Sequence, residues 1–297
     1  MSRAQNPRDA TRPPAADPAM RGEADSPALL LEAACAFARA AGAVLLEGYG
    51  RVHAPEKKGR IDLVTEYDRR SEALLLDLLR ARFPHHEIVA EESGVHAATG
   101  AAEADASRPR WYCDPLDGTT NFAHNYPFFG VSLGVEVNGA PVAGAVYDPV
   151  RDELFSASAG GGAWLNGRPV QVSTLDRLED ALLVTGFPYD VREHPERHLP
   201  LFQDFLLRAQ GVRRDGSAAL NLCYVAMGRF DGMWEGDLSP WDMAAGTLIV
   251  REAGGVVSGY GGEPFRLHGR RIVTANARLH PRLLEVVAMH SEANPPE

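Results

Sequence analysis

The spacing of apolar residues predicts two helices near the start of the chain. Beyond Ser26 and Pro27, a pair typical of helix starts, apolar residues recur at helical spacing until Gly48. A second helix is expected after Thr65, which can cap it, with Asp68 in its first turn, where the helix dipole favours a carboxylate. Each helix has one apolar face and is therefore expected to pack on a core.

Farther along, the period shortens to that of β-strands. Short strands are predicted at 88–90 and 110–113, and each runs directly into acidic residues. Hairpin turns at Asn138-Gly139 and Asn166-Gly167 indicate an antiparallel meander. Its predicted strands cover 129–137, 142–147 and 154–157. The acidic residues that follow the first two strands therefore stand at strand ends.

After about residue 175, strands and helices alternate. The predicted elements are a strand at 182–185, a helix at 198–209, a strand near 212 and a helix at 217–227, with more of the same up to Met289. A meander followed by such alternation is typical of a layered α/β (α+β) architecture. We predict an N-terminal α+β subdomain over 28–175 and a C-terminal α/β subdomain over 176–291.

Composition sets the class of protein. The chain has 297 residues, 45% of them hydrophobic, which is enough for a large core that needs no disulfides. Its formal net charge of −10 gives no broad basic surface, so neither a nucleic acid nor a membrane is expected as a partner. The cysteines lack the paired spacing of a zinc site or a disulfide framework. An anionic substrate must therefore be attracted locally.

Both ends of the chain are predicted to lie outside the folded part. Residues 1–27 contain several prolines and too few large apolar groups to offset the entropy of ordering, which predicts a disordered tail. Acidic residues within it argue against a transit peptide, and a second tail is expected at 292–297. No uninterrupted apolar run is long enough for a membrane span and no secretory signal is evident, so a soluble, cytoplasmic protein is expected.

A segment that begins at Asp114, with the sequence DPLDGTT, carries the clearest chemical signal. Asp114 and Asp117 lie three residues apart, so their carboxylates converge if the chain turns between them, and Pro115 and Gly118 favour such a turn. The Leu116 carbonyl can add a third oxygen ligand. Oxygen ligands of this kind suit Mg²⁺ or Mn²⁺ rather than Zn²⁺.

The same segment can also bind phosphate. If a helix or tight turn opens at Thr119, the amides of Gly118, Thr119 and Thr120 face one place and can bind phosphate oxygens. The alternative, a surface Asp-Gly turn, would explain Asp117 and Gly118 but not the rest of the segment. We therefore predict a shared metal and phosphate loop.

Two further acidic positions have ordinary interpretations when each is taken alone. Glu91 and Glu92 follow the predicted strand at 88–90, where adjacent glutamates are usually a solvated corner. Asp242, in Pro240-Trp241-Asp242, opens a helix predicted at 243–252 and would usually be its N-cap.

Taken together and in chain order, these residues resemble the inositol monophosphatase family of lithium-sensitive, magnesium-dependent phosphatases. The resemblance runs from about Leu29 to Met289. It rests on Asp62-Leu63-Val64-Thr65 with Asp68, Glu91-Glu92-Ser93, DPLDGTTNF from Asp114, Gly216-Ser217-Ala218-Ala219, Trp241-Asp242 and Glu252-Ala253-Gly254-Gly255. It implies the layered αβαβα sandwich of the sugar phosphatases, with a mixed sheet in the C-terminal half, and commonly a homodimer.

The resemblance also implies a role for each acidic residue. Two or three Mg²⁺ ions, with Mn²⁺ as a substitute, would be bound by Glu91, Asp114, the Leu116 carbonyl, Asp117 and Asp242. Thr119 and Asp68 would form a dyad beside a nucleophilic water, with Glu91 sharing in its activation. Lys57 aligns with a lysine that the family keeps near the metals, although Lys58 could take its place, and a solvated loop lysine is the alternative.

The expected substrate is a small phosphorylated polyol, with inositol monophosphate the leading choice. The resemblance points to Gly216, Ser217 and Ala218 along one wall of the alcohol pocket and to Glu235 as the acceptor of ring hydroxyls. Asp117 and Asp242 would border the same pocket. The alternatives are histidinol phosphate, fructose 1,6-bisphosphate or a 3'-phosphorylated nucleotide, and, in another class, a module that binds a protein or nucleic-acid complex with catalysis secondary.

Two pairs of residues beside these segments have open or minor roles. Arg213 and Arg214 could steer a phosphate, support a subunit contact or flank a strand. His194 and His198 lie four apart around Glu196, but Pro195 intervenes and the glutamate is misplaced for a zinc helix, so no metal is expected there.

Overall fold

The computed structural model describes residues 25–51, 55–57, 63–99 and 107–290, and every element below lies within these ranges. Most of the predicted N-terminal tail, the C-terminal tail, Lys58 and Asp62 lie outside the described residues. The helices are α1 (Pro27–Gly48), α2 (Glu66–Arg82), α3 (Thr119–Ala123), α4 (Pro195–Arg208), α5 (Ala218–Ala226), α6 (Pro240–Glu252) and α7 (His280–Ala288).

The first large sheet has eight strands and contains the predicted meander. In spatial order they are β10 (Arg168–Pro169), β9 (Ala163–Leu165), β8 (Glu153–Ser158), β7 (Ala140–Asp148), β6 (Gly130–Val137), β5 (Arg110–Asp117), β3 (Glu87–Ala90) and β4 (Gly94–His96). All neighbours are antiparallel except β3 and β5, which run parallel. A separate two-stranded sheet pairs β1 (Glu56–Lys57) with β2 (Leu63–Val64).

The second large sheet has five strands and is mixed, as the resemblance implied. Its spatial order is β12 (Gly211–Arg213), β11 (Leu182–Thr185), β13 (Gly232–Glu235), β15 (Ile272–Asn276) and β14 (Gly255–Ser258). Here β11 is parallel to both its neighbours, whereas β15 is antiparallel to β13 and β14. The parallel ends of β11 and β13 therefore bring residues 186 and 235 to one edge.

Helices and sheets alternate in five layers. Helices α1 and α2 cover one face of the eight-stranded sheet, and α5 and α6 fill the space between its other face and the five-stranded sheet. Helices α4 and α7 cover the outer face of the second sheet. This order is the αβαβα sandwich that the resemblance implied. The division after residue 175 stays a prediction, since helices of the second segment pack on the first sheet.

Helix α2 begins where its sequence predicted. The Thr65 hydroxyl accepts from the Tyr67 amide, and the Asp68 carboxylate accepts from the Thr65 amide, which together form a capping box. The predicted end of β5 was wrong, because the strand continues past Cys113 to Asp117. The proline in this segment is accommodated because the ladder is irregular between Asp114 and Asp117.

Among the described residues, one helix is long and apolar enough to cross a membrane. This helix is α1, with 22 residues. One face of α1, including Leu30, Phe37 and Leu45, is buried against α2, β6 and β7. Its apolar composition is therefore accounted for by the core.

Candidate active site

The irregularity in β5 turns the two aspartates toward one site. Asp114 pairs with Ser132 and Asp117 with Gly130, so one extra residue on β5 is fitted between these pairs. In a regular strand, residues three apart point to opposite faces, and one extra residue restores them to the same face. Both side chains are buried, at 2% and 8% exposure. The turn predicted between the aspartates is therefore a β-bulge.

Asp117 is attached to the amino terminus of α5. Its carboxylate accepts hydrogen bonds from the Ser217 hydroxyl at 2.6 Å, the Ala219 amide at 2.7 Å and the Ala218 amide at 3.3 Å. Burial raises the pKa of Asp117, and these hydrogen bonds oppose that rise. Two residues of the predicted alcohol wall, Ser217 and Ala218, thus contact a predicted metal ligand directly.

Glu91 and Asp242 reach the same place from other elements. The Glu91 amide donates to the Cys113 carbonyl, which continues the parallel pairing of β3 and β5 and sets Glu91 beside Asp114. Asp242 lies in the first turn of α6, where its carboxylate accepts from the Ser239 amide at 2.7 Å. The N-cap of α6 is Ser239, so the N-cap interpretation of Asp242 was wrong, although its carboxylate takes part in the capping box.

The charges of these side chains oppose one another. Burial raises the pKa of Asp114 well above its usual range, and the negative charges of Glu91, Asp117 and Asp242 raise it further. Burial and the Asp117 charge also raise the pKa of Asp242. In the described part of the chain, no basic side chain forms an ion pair with Asp114, Asp117 or Asp242. Buried carboxylates such as Asp114 and Asp117, with no basic partner in the described ranges, offer the oxygen ligands that divalent metal ions prefer.

A hydroxyl and a second carboxylate stand beside this acidic group. The Thr119 hydroxyl lies 2.8 Å from Asp68 Oδ1 and 3.1 Å from the Leu116 carbonyl oxygen. The other oxygen of Asp68 accepts from the Thr65 amide at 2.7 Å and the Thr65 hydroxyl at 2.6 Å. The structure therefore brings the predicted dyad together, and the cap of α2 fixes the orientation of Asp68.

The predicted helix at Thr119 exists as the short α3. Gly118 precedes it with φ of 99°, in the left-handed region that glycine adopts without strain. The first amides of a helix have no acceptor within it. Gly118, Thr119 and Thr120 thus lie where the sequence predicted phosphate-binding amides.

Three residues that hold the site together were not predicted. The Asn121 amide group donates to the carbonyls of Phe128 and Asp215, each at 2.7 Å, and so ties α3 to the segment before α5. The buried Glu72 carboxylate accepts from the Glu92 amide at 2.8 Å and so supports the turn that carries Glu91. The Ser71 hydroxyl donates to the Pro115 carbonyl at 2.8 Å. Only Asn121 had a sequence signal, because it directly follows DPLDGTT.

Lys57 lies on the small sheet. It is exposed in β1 and pairs with Leu63 of β2, close in sequence to Thr65. Lys58, the alternative lysine, lies outside the described residues. The choice between the two lysines and a solvated loop lysine therefore stays open.

Glu235, the predicted acceptor of substrate hydroxyls, is the last residue of β13. This side chain is 8% exposed. Burial and the Asp117 charge raise the pKa of Glu235 to about 8, and Arg214 opposes that rise. Arg214 is thus close enough to Glu235 to act on it electrostatically, whereas Arg213 is the last residue of β12.

We expect the stability of the metal-free protein to fall as pH rises from about 5 to 8. The pKa of Glu235 is about 8 in the folded state and 4.5, its ordinary value, in the unfolded chain. Between these values, Glu235 releases its proton when the protein unfolds. A rise in pH therefore favours the unfolded state. The single group contributes at most about 1.4 kcal/mol per pH unit. Thermal unfolding in EDTA at several pH values measures how the stability depends on pH. The control is Glu235→Gln, whose stability should fall less steeply with pH. Equal slopes for the two proteins would contradict the raised pKa.

A second group of ligand-type side chains lies outside this site. Atoms of Asp190, His198 and Asp237 lie within 4.8 Å of one another. His194 is not part of the group, and Arg270 lies 3.6 Å from the Asp237 carboxylate, so part of the acidic charge is balanced by the protein itself. The spacing of His194 and His198 therefore does not produce a zinc helix in the described residues.

The layered fold and the acidic group are those of a phosphoric monoester hydrolase of the inositol monophosphatase type. Comparison with known proteins gives its family: the sequence profile of the inositol monophosphatase family matches residues 27–292, and the chain belongs to that family. The family is metal-dependent, and the predicted resemblance is confirmed.

Individual relatives agree with the family. The chain is 48% identical over 259 residues to an inositol-1-monophosphatase of Synechocystis sp., which covers 87% of this chain and 88% of that protein. It is 41% identical to a putative Nus factor SuhB of Neisseria meningitidis serogroup B, over 88% of this chain and 98% of that protein. The crystal structure of the extragenic suppressor protein SuhB from Bartonella henselae superposes with a TM-score of 0.81 at 38% identity, over 87% of this chain and 98% of that one. The predicted fold class is confirmed.

Proposed function

We propose that the chain is a magnesium-dependent phosphatase of a small phosphorylated polyol, with inositol monophosphate as its substrate. The observation that carries the proposal is the group of Glu91, Asp114, Asp117 and Asp242, in which Asp114 and Asp117 are buried. This group adjoins the Thr119–Asp68 pair on one side and α5 on the other. The choice of inositol is supported by the 48% identity to a relative named inositol-1-monophosphatase.

In this proposal the acidic residues and one carbonyl hold the metal. The ligands would be Glu91, Asp114, the Leu116 carbonyl, Asp117 and Asp242. Bound Mg²⁺ supplies positive charge that neutralises the substrate phosphate and makes a nearby water more acidic. Without such a cation, four carboxylates, two of them buried, would repel a phosphate dianion, so the metal ligands and the phosphate site act together.

The Thr119–Asp68 pair would orient the attacking water. Because the Thr119 hydroxyl can donate to Asp68 Oδ1, its oxygen can accept a hydrogen bond from water and direct that water toward phosphorus. Glu91 would share in removing the proton. The amides of Gly118, Thr119 and Thr120 would bind the phosphate oxygens, and the leaving alcohol would lie between Glu235 and the wall formed by Gly216, Ser217 and Ala218.

Phosphate release from a panel of monoesters tests the proposal. The panel contains inositol 1-phosphate, histidinol phosphate, fructose 1,6-bisphosphate and a 3'-phosphorylated nucleotide, each with Mg²⁺, with Mn²⁺ and with EDTA. We expect the highest kcat/KM on inositol 1-phosphate with Mg²⁺, partial replacement by Mn²⁺ and no turnover in EDTA. Turnover of no panel member would overturn the phosphatase proposal, and a preference for another member would overturn only the choice of inositol.

Two properties from the family resemblance belong to the same proposal. We propose that lithium inhibits the reaction and that the protein is a homodimer. Adding lithium to the Mg²⁺ assay tests the first, and light scattering on the purified protein tests the second. Uninhibited turnover in lithium, or a monomer mass, would remove the corresponding property without affecting the phosphatase activity.

A second function is favoured by the relatives named Nus factor SuhB. At 41% identity over most of both chains, that likeness supports a role in a larger complex. The net charge of −10 favours contact through a protein rather than directly through nucleic acid. A pull-down with wild-type protein and with Asp117→Asn separates the roles: partners that both proteins capture would establish binding independent of catalysis, and no specific partner for either would remove this candidate.

A further inference from the structure

We propose that Gly186 is a specificity-determining position, at which the absence of a side chain holds the Glu235 carboxylate where it can bind the substrate alcohol. This inference rests on the proposed function and names a residue that the motifs did not. Gly186 directly follows β11, and Glu235 ends the adjacent parallel strand β13, with Thr185 opposite Trp234 in the register. The two residues are therefore neighbours at the carboxyl edge of the sheet.

The Glu235 carboxylate occupies the space that a side chain at position 186 would need. A Cβ built on Gly186 would overlap Glu235 Oε1 and Cδ and would lie only 2.8 Å from Oε2. Real Cβ atoms do not approach other heavy atoms so closely. Any residue other than glycine at position 186 therefore displaces this carboxylate.

Space, not backbone conformation, is the reason for the glycine. Gly186 does not have the positive φ that would strain alanine. The Thr185 hydroxyl also donates to the Trp234 carbonyl at 2.6 Å, which fixes the strand ends on which both residues stand. The end of a glutamate side chain moves at less cost than two bonded strands, so we expect alanine at 186 to turn the carboxylate and leave the fold intact.

The carboxylate that a side chain at position 186 would displace has an oxygen without a hydrogen-bond partner among the described residues. Glu235 Oε2 is buried and has no hydrogen-bond partner within the described ranges, which is costly for a polar atom in a protein interior. A hydroxyl of a bound polyol would satisfy it. The carboxylate lies near Asp117, so its orientation determines which hydroxyl it can reach when the phosphate is at the metal ligands. Gly186 thereby acts through Glu235 as a positioning residue.

The matched substitutions are Gly186→Ala and Gly211→Ala. Gly211 belongs to the same sheet and also lacks a positive φ, and the nearest side-chain atoms, from Arg213 and Leu182, lie 3.5 Å from the position that a Cβ would occupy, an ordinary contact distance. We expect Gly211→Ala to behave as wild type. For Gly186→Ala we expect an unchanged melting temperature and a loss of about 10- to 100-fold in kcat/KM on inositol 1-phosphate, mostly through a higher KM, as expected when buried polar groups lose their hydrogen-bond partner.

A second substrate and a double variant isolate the mechanism. On p-nitrophenyl phosphate, which has no polyol hydroxyls, we expect Gly186→Ala and wild type to be equal. Adding Gly186→Ala to the Glu235→Ala variant should cause no further loss of kcat/KM on inositol 1-phosphate, because Gly186→Ala acts by displacing the Glu235 side chain. Full activity of Gly186→Ala on inositol 1-phosphate, an equal loss on both substrates, or additive losses in the double variant would each overturn the inference. A wild type inactive on every polyol phosphate would overturn the proposed function and this inference with it.

Discussion

Asp114→Asn is expected to lower metal-dependent phosphate release by about 100- to 1,000-fold, while the metal-free protein becomes no less stable than wild type. Activity falls and stability does not, because the negative charge of Asp114 affects metal binding and folding differently. It is needed to bind a cation, but without a cation it is repelled by Glu91, Asp117 and Asp242 in a buried place. Asparagine keeps the oxygen that accepts from the Leu116 amide at 3.0 Å, so the local turn is retained.

Two measurements on the same preparation test this expectation. Phosphate release with Mg²⁺ gives the activity, and thermal unfolding in EDTA gives the stability. The control is Asp152→Asn, which removes a carboxylate that is exposed and paired with Arg39, and it should keep full activity. A variant at Asp114 that unfolds well below wild type would show that the carboxylate stabilises the fold, and one that retains activity would show that it is not a metal ligand.

Thr119→Val is expected to lower kcat by about 100-fold or more without changing the dependence on Mg²⁺ concentration. Valine has nearly the same shape as threonine but lacks the hydroxyl that contacts Asp68 and the Leu116 carbonyl. Asp68 keeps its two hydrogen bonds from Thr65, so helix α2 and the position of the carboxylate should be preserved.

A Mg²⁺ titration of the steady-state rate separates this effect from metal binding. Thr274→Val is the matched control, because it removes a buried hydroxyl that has no hydrogen-bond partner within the described ranges and lies in β15. That control should keep its activity. An unchanged kcat in Thr119→Val would exclude the hydroxyl from the reaction, and a large shift in the Mg²⁺ requirement would assign it to the metal site instead.

Much of the fold, and some of the contacts around the site, could be predicted from residues that are close in sequence. The cap of α2 could be predicted because Thr65 and Asp68 lie within one helical turn, where spacing determines contact. The bulge in β5 could not, because it depends on how Asp114 and Asp117 pair with a neighbouring strand rather than on their own spacing. The spacing of apolar residues does not distinguish a strand that ends at Cys113 from one that continues through a bulge.

Contacts between distant elements account for the residues that sequence reasoning missed. Glu72 lies on the buried side of α2, where nothing in the helical pattern shows that its carboxylate supports the turn after β3. Gly186 has no motif at all, and its importance becomes visible only when Glu235 is seen against it. The family resemblance supplied Glu91 and Asp242, whose separate local signals favoured a solvated corner and a helix cap.

Because Asp117 is bound to α5, the site can be completed only after most of the chain has been synthesised. Ser217 follows Asp117 by 100 residues, and Asp242 comes later still, so a ribosome must release most of the chain before the site can close. Contacts so far apart in sequence also require a long loop to be closed, which costs conformational entropy. An unfinished chain that ends before α6 therefore lacks one of the four carboxylates of the acidic group.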